Sequence, residues 1–165
     1  MALVEYKIRL GTKNDISFLW EMLYQAIYVQ EGQERPSREV LNHPVIKKYL
    51  DDWGRKGDKA FIAYDSETTP VGAIWIRVFD ESSPTYGYID SETPVLSMAI
   101  LPNYRGQGIG TLLLSTLLNS TKATGVKSLS LSVDPSNPAL RLYKKMGFVK
   151  VGVNGTSWDM KATLT

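Results

Sequence analysis

Between Val95 and Gly125 three kinds of sequence follow one another without interruption, and together they leave few folds open. Val95-Leu96-Ser97-Met98-Ala99-Ile100-Leu101 is an apolar run with strand character, and Pro102 stops it. Arg105-Gly106-Gln107-Gly108-Ile109-Gly110 is a tight glycine turn that carries a cation. The leucine-rich stretch that follows predicts a helix from Thr111 to about Thr124, ended by Gly125. This order suits the gripping of a pyrophosphate. Glycine lets the backbone come close to a ligand, and the first N–H groups of a helix have no internal partner and lie at its positive end. Two better-known phosphate loops are excluded by spacing. Counted from Gly106, the sixth position is Thr111 where a dinucleotide fingerprint needs glycine. Gly110 runs directly into Thr111, without the lysine of a triphosphate loop.

The rest of the chain alternates strands and helices around this unit. Val4 to Leu10 alternates apolar and polar residues, a half-buried strand, and Thr12 or Asn14 can cap the helix that follows. Ile16, Leu19, Trp20, Leu23, Ala26 and Ile27 keep helical spacing, with Tyr24 and Tyr28 just off that face. After a polar loop from Gln30 to Ser37, short helical segments begin at Arg38 and at Pro44, the second running to Gly54. Helix, acidic loop and helix form a plausible lid. Ala60–Tyr64 and Val71–Phe79 read as a hairpin, and Asp80–Thr93 is polar. In that stretch Tyr86, Tyr88, Asp90 and Glu92 share a face if the backbone is extended. Beyond Gly125 come a strand over Lys127–Val133, a helix over Ala139–Met146, and two strands flanking the hairpin signal Asn154-Gly155. The order is β-α-α-β-β-β-α-β-α-β-β.

Composition removes several classes of function. Cysteine is absent, so disulfides and thiolate chemistry are out, and His43 is the sole histidine, which leaves no metal-ligand cluster. His43 itself stands where a helix cap is expected. A net charge of +2 without a basic run argues against nucleic acid. No apolar stretch approaches the roughly 20 residues of a membrane helix, and Met1–Tyr6 lacks a leader pattern, so a cytoplasmic protein is expected. At 165 residues, one domain spanning 1–165 is the expectation.

A second segment makes the phosphate grip specific. Asn137-Pro138-Ala139-Leu140-Arg141-Leu142-Tyr143-Lys144-Lys145-Met146-Gly147-Phe148 follows the glycine turn. With Arg-x-x-Gly-x-Gly it resembles the GCN5-related N-acetyltransferase (GNAT) family, as does the element order along essentially the whole chain. The resemblance implies an α/β (α+β) fold: a mixed, mostly antiparallel sheet of about seven strands flanked by about four helices. It also implies acetyl-CoA as acyl donor and an amine as acceptor, with no nucleic acid and no membrane as partners and a homodimer left open. On this resemblance Met98, Ala99 and Ile100 meet the pantetheine arm, and Asn137 bonds it. Arg105, Gly106, Gln107, Gly108, Ile109, Gly110 and Thr111 hold the pyrophosphate, mostly through backbone N–H groups. Tyr143 lies beside the sulfur as general acid.

The acceptor side is less defined. Many relatives carry a glutamate on the central strand near the place of Val95, and valine cannot act as a base. Glu92 acting through water is the provisional choice, with Asp90 and Glu31 as alternatives. Tyr24, Tyr28, Glu31 and Tyr88 are candidates for acceptor binding, and Glu31, Glu34, Asp90 and Glu92 hint at a cationic acceptor. A small amine, a peptide amino terminus or lysine, and a non-catalytic acyl-CoA-binding module all stay open.

Overall fold

The computed structural model describes residues 5–164. The readings of residues 1–4, a strand beginning at Val4 and the absence of a leader pattern, fall outside that range. The elements follow the expected order: β1 (Lys7–Leu10), α1 (Ile16–Ala26), α2 (Pro44–Lys47), β2 (Lys59–Tyr64), β3 (Pro70–Arg77), β4 (Val95–Ile100), α3 (Ile109–Ala123), β5 (Ser128–Val133), α4 (Ala139–Lys145), β6 (Val149–Asn154) and β7 (Ser157–Thr163). The strands form one seven-stranded sheet, β1-β2-β3-β4-β5-β7-β6. Its neighbours are antiparallel except β4 and β5, which run parallel. Among the described residues no helix is long and apolar enough to cross a membrane.

Strand alternation sorts the core into two layers. Phe61 and Ala63 of β2, Ile74 and Ile76 of β3, and Leu129, Leu131 and Val133 of β5 point to one face, where α3 adds Leu113, Leu114 and Leu117. Ala60, Ile62, Ala73 and Trp75 point to the other, under Leu19, Met22 and Leu23 of α1. Thr12 opens the α1 segment with a capping box: its side chain accepts from Asn14 N–H, and Asp15 reaches back to Thr12 N–H at 2.7 Å. Arg9 clamps Asp15 from β1 with two bonds of 2.8 Å and lowers its carboxyl pKa.

Three local expectations need correction. The helix from Pro44 stops at Lys47 instead of continuing to Gly54. Residues beyond it form turns, because Arg77 Nη1 takes the carbonyls of Lys48 (3.0 Å) and Asp51 (2.6 Å), and Asp52 adopts φ 55°. Residues 80–94 are loop and turn rather than an extended segment, so Tyr86, Tyr88, Asp90 and Glu92 do not share a face. The β6–β7 turn is centred one residue later than expected. Asn154 pairs with Ser157, and Gly155 and Thr156 make the turn.

Candidate active site

The site begins where two parallel strands part. β4 keeps full register with β3, from Val95 opposite Arg77 to Ile100 opposite Gly72. With β5 it pairs at Val95 and Ser130, next to the bond from Ser130 N–H to Pro94 O at 3.0 Å. Beyond that point the two strands diverge, and the β5-facing edge of β4 has no strand beside it. The β3–β4 loop packs into the base of this fork. A Cβ on Gly87 would lie 3.0 Å from the backbone of Leu131 and Ser132, at φ +87°, so only glycine fits there. Gly87 N–H is bonded to Asp159 Oδ1 at 3.2 Å, which ties the loop to β7.

The fork opens into a cleft of 540 Å³. Val95, Leu96, Ser97 and Met98 line its β4 side, Leu131 to Asp134 its β5 side, and Asn137 and Tyr143 also face it. Ala99 and Ile100 continue along β4 toward the glycine turn, and Ile100 O accepts from Arg105 Nε at 2.9 Å.

The turn leaves backbone donors without partners at the head of α3. Gly108 takes φ +84° and begins the helix two residues before the expected Thr111, with no side chain capping it. The first intrahelical bond runs from Leu112 N–H to Gly108 O, so the N–H groups of Ile109, Gly110 and Thr111 have no helical acceptor. A Cβ on Gly106 or Gly108 would meet nothing within 4 Å, so the turn is open to a ligand. Gly110 instead packs inward, where a Cβ would come within 3.1 Å of Leu142. Partial burial and the positive charge of Arg35 lower the pKa of Arg105. The Gln107 side chain points away, its Oε1 accepting from Tyr6 OH at 2.6 Å. These features fit a pyrophosphate and the extended arm attached to it.

Asn137 Oδ1 accepts from Ala139 N–H at 2.9 Å, which starts α4 and leaves the side-chain amide free to donate. Tyr143 is buried edge-on against Phe148, ring centroids 5.8 Å apart, and burial pushes its phenol up to about 12. Tyr28 lines the same cleft, and its hydroxyl donates to Ser136 O at 3.0 Å, across the mouth of the fork.

Other candidates lie elsewhere. Tyr24 is buried beneath the α1–α2 connection, donating to Pro36 O at 2.7 Å between the guanidiniums of Arg35 and Arg38. Glu31 and Glu92 are exposed, and neither they nor Tyr88 line the cleft. Glu92 sits in a polar turn, its N–H bonded to Asp90 Oδ1 at 2.9 Å, which holds it outside. His43 Nδ1 accepts from Val45 N–H at 3.2 Å, a helix cap. Asp134, which sequence reasoning passed over as a turn residue, is the carboxylate that lines the cleft, its Oδ1 accepting from Ser136 N–H at 2.8 Å. Its signal was its place at the end of an alternating strand, just before Asn137. Tyr49 was read as a core-face residue of a longer helix. It also lines the cleft, donates to Tyr86 O at 3.0 Å and is pushed by burial up to about 12.

The sequence model of the acetyltransferase (GNAT) family matches residues 20–148. A [ribosomal protein bS18]-alanine N-acetyltransferase from Haemophilus influenzae is 45% identical over 62 residues, 38% of this chain and 42% of that protein. An N-alpha-acetyltransferase from Sulfolobus acidocaldarius is 31% identical over 157 residues, covering 90% and 82% of the two chains. The match therefore spans less than two thirds of the first relative and most of the second. Among solved structures, a PaiA N-acetyltransferase from Thermoplasma acidophilum in complex with coenzyme A shares the fold at TM-score 0.64 and 21% identity, over 96% of this chain and 99% of that one.

Proposed function

The chain belongs to the acetyltransferase (GNAT) family, and from that premise we propose that it transfers an acetyl group from acetyl-CoA to a primary amine. The observation that carries this reading is the fork between β4 and β5: an unpaired strand edge, a cleft, and a helix N-terminus with free N–H groups in line.

In this reading the pyrophosphate is held by Arg105, Gly106, Gln107, Gly108, Ile109, Gly110 and Thr111, through backbone N–H groups and one guanidinium. The pantetheine arm lies along Met98, Ala99 and Ile100 and receives a bond from the Asn137 amide. A backbone N–H of β4, aimed into the fork, faces the thioester oxygen, where negative charge builds as the amine attacks. Attack requires a neutral amine. Asp134 is the carboxylate within the cleft that can take the proton, in place of Glu92 outside it. The thiolate leaves with a proton from Tyr143, whose phenol stays protonated through the neutral range.

Two measurements test the reading. Saturating acetyl-CoA should raise the melting temperature, and thiol should be released when an amine is added. An unchanged melting temperature would remove the coenzyme site. A second reading, an acyl-CoA-binding module without catalysis, is favoured by apolar Val95 at the head of β4. It would show the thermal shift and no thiol release with any amine.

A further inference from the structure

The acceptor half of the cleft is nearly without charge. Leu23, Ile27, Ile46 and Tyr49 from the α1–α2 side face Tyr86 and the β6–β7 turn, where Thr156 and Ser157 add hydroxyls. Among the described side chains that line the cleft, Asp134 carries the only carboxylate. Burial keeps the phenols of Tyr49 and Tyr143 protonated.

The other nearby acids do not line the cleft. Glu21 is ion-paired to Arg38, Asp58 is ion-paired to Arg77, and Asp159 is bonded to Gly87 N–H. Glu31, Glu34, Asp90 and Glu92, which hinted at a cationic acceptor, are exposed and do not line the cleft.

An ammonium moved out of water onto aliphatic and aromatic side chains needs a partner of opposite charge. The cleft supplies one. The same walls favour an apolar body, which gains by leaving water. We infer that the acceptor is a small monoamine carried on an uncharged apolar or aromatic body, its single ammonium received by Asp134. This rests on the acetyl-transfer reading and narrows it: polyamines and aminoglycosides, with several ammonium groups, are excluded.

Phenethylamine and spermidine are the probes. Thiol-release kinetics should give phenethylamine a kcat/KM about tenfold or more above that of spermidine. Thr156→Asp, in the exposed β6–β7 turn, adds a second carboxylate without touching the core, and should raise kcat/KM for spermidine about tenfold. Calorimetric binding of each amine to the protein saturated with coenzyme A separates this inference from its premise. If neither amine is turned over but phenethylamine binds about tenfold tighter, the acceptor class stands and acetyl transfer falls. Spermidine bound or turned over as well as phenethylamine, or no binding of phenethylamine, overturns the acceptor class.

Discussion

In the proposed reaction Tyr143 gives a proton to the leaving thiolate and Asp134 takes one from the amine. Tyr143 is buried against Phe148, and its pKa of about 12 keeps the proton on the phenol across neutral and mildly alkaline pH. Raising the pH through that range should therefore cost no rate through Tyr143, since its donor form is lost only as pH nears about 12. Tyr143→Phe keeps the ring and removes the donor. Turnover should fall about a hundredfold with little change in KM for acetyl-CoA, read by steady-state kinetics; turnover equal to wild type would reduce Tyr143 to packing. Asp134→Asn keeps an acceptor for Ser136 N–H and removes the charge. We expect kcat/KM for the amine to drop about a hundredfold while acetyl-CoA affinity holds. A loss confined to acetyl-CoA affinity would move Asp134 out of the acceptor half.

At the scale of elements, the proposed coenzyme site joins the α3 N-terminus to the fork. Gly108 at φ +84° turns the chain so that the first helical N–H groups face outward. Gln107, its side chain bonded to Tyr6 at 2.6 Å, ties the turn to the segment leading into β1. Gly108→Asp puts a Cβ into a left-handed backbone position and a negative charge beside the anion site. No neighbour lies within 4 Å to clash, so the effect falls on conformation and charge. The KM for acetyl-CoA should rise at least about tenfold, from loss of an anion site of this kind, and an unchanged KM would place the pyrophosphate elsewhere. The strand, turn and helix were legible in Val95–Gly125, but the helix start was not. Gly108 caps through backbone geometry alone and leaves no cap side chain to read.

For the molecule as a whole, the cleft wall that carries Tyr49 is held by the buried Arg77–Asp58 ion pair. Arg77 and Asp58 are each 1% exposed at the side chain and are joined by bonds of 3.0 and 2.8 Å. Arg77 also takes the carbonyls of Lys48 and Asp51, and so folds the chain after α2 back onto β3 on either side of Tyr49. Asp58→Ala leaves a buried guanidinium without its counter-charge. Stability should fall by about 3–5 kcal/mol in urea unfolding, and a loss below about 1 kcal/mol, the scale of an exposed pair, would show that water reaches Arg77.

Element type and order, the two core faces, the glycine turn and the segment from Asn137 follow from the sequence, because each rests on local periodicity, a glycine turn or a short motif. Leu129, Leu131 and Val133 alternate whatever lies beside them, and Arg105–Gly110 is a turn in any fold that starts a helix there. The lining of the rest of the cleft does not follow. Whether Tyr24 or Tyr28 faces the cleft depends on Arg35 and Arg38 closing over the first and Ser136 receiving the second. Whether Glu92 or Asp134 is the available acid depends on how β4 and β5 part and where the loop before β4 turns away. Those outcomes come from contacts between residues distant in the chain, so only the tertiary structure decides them.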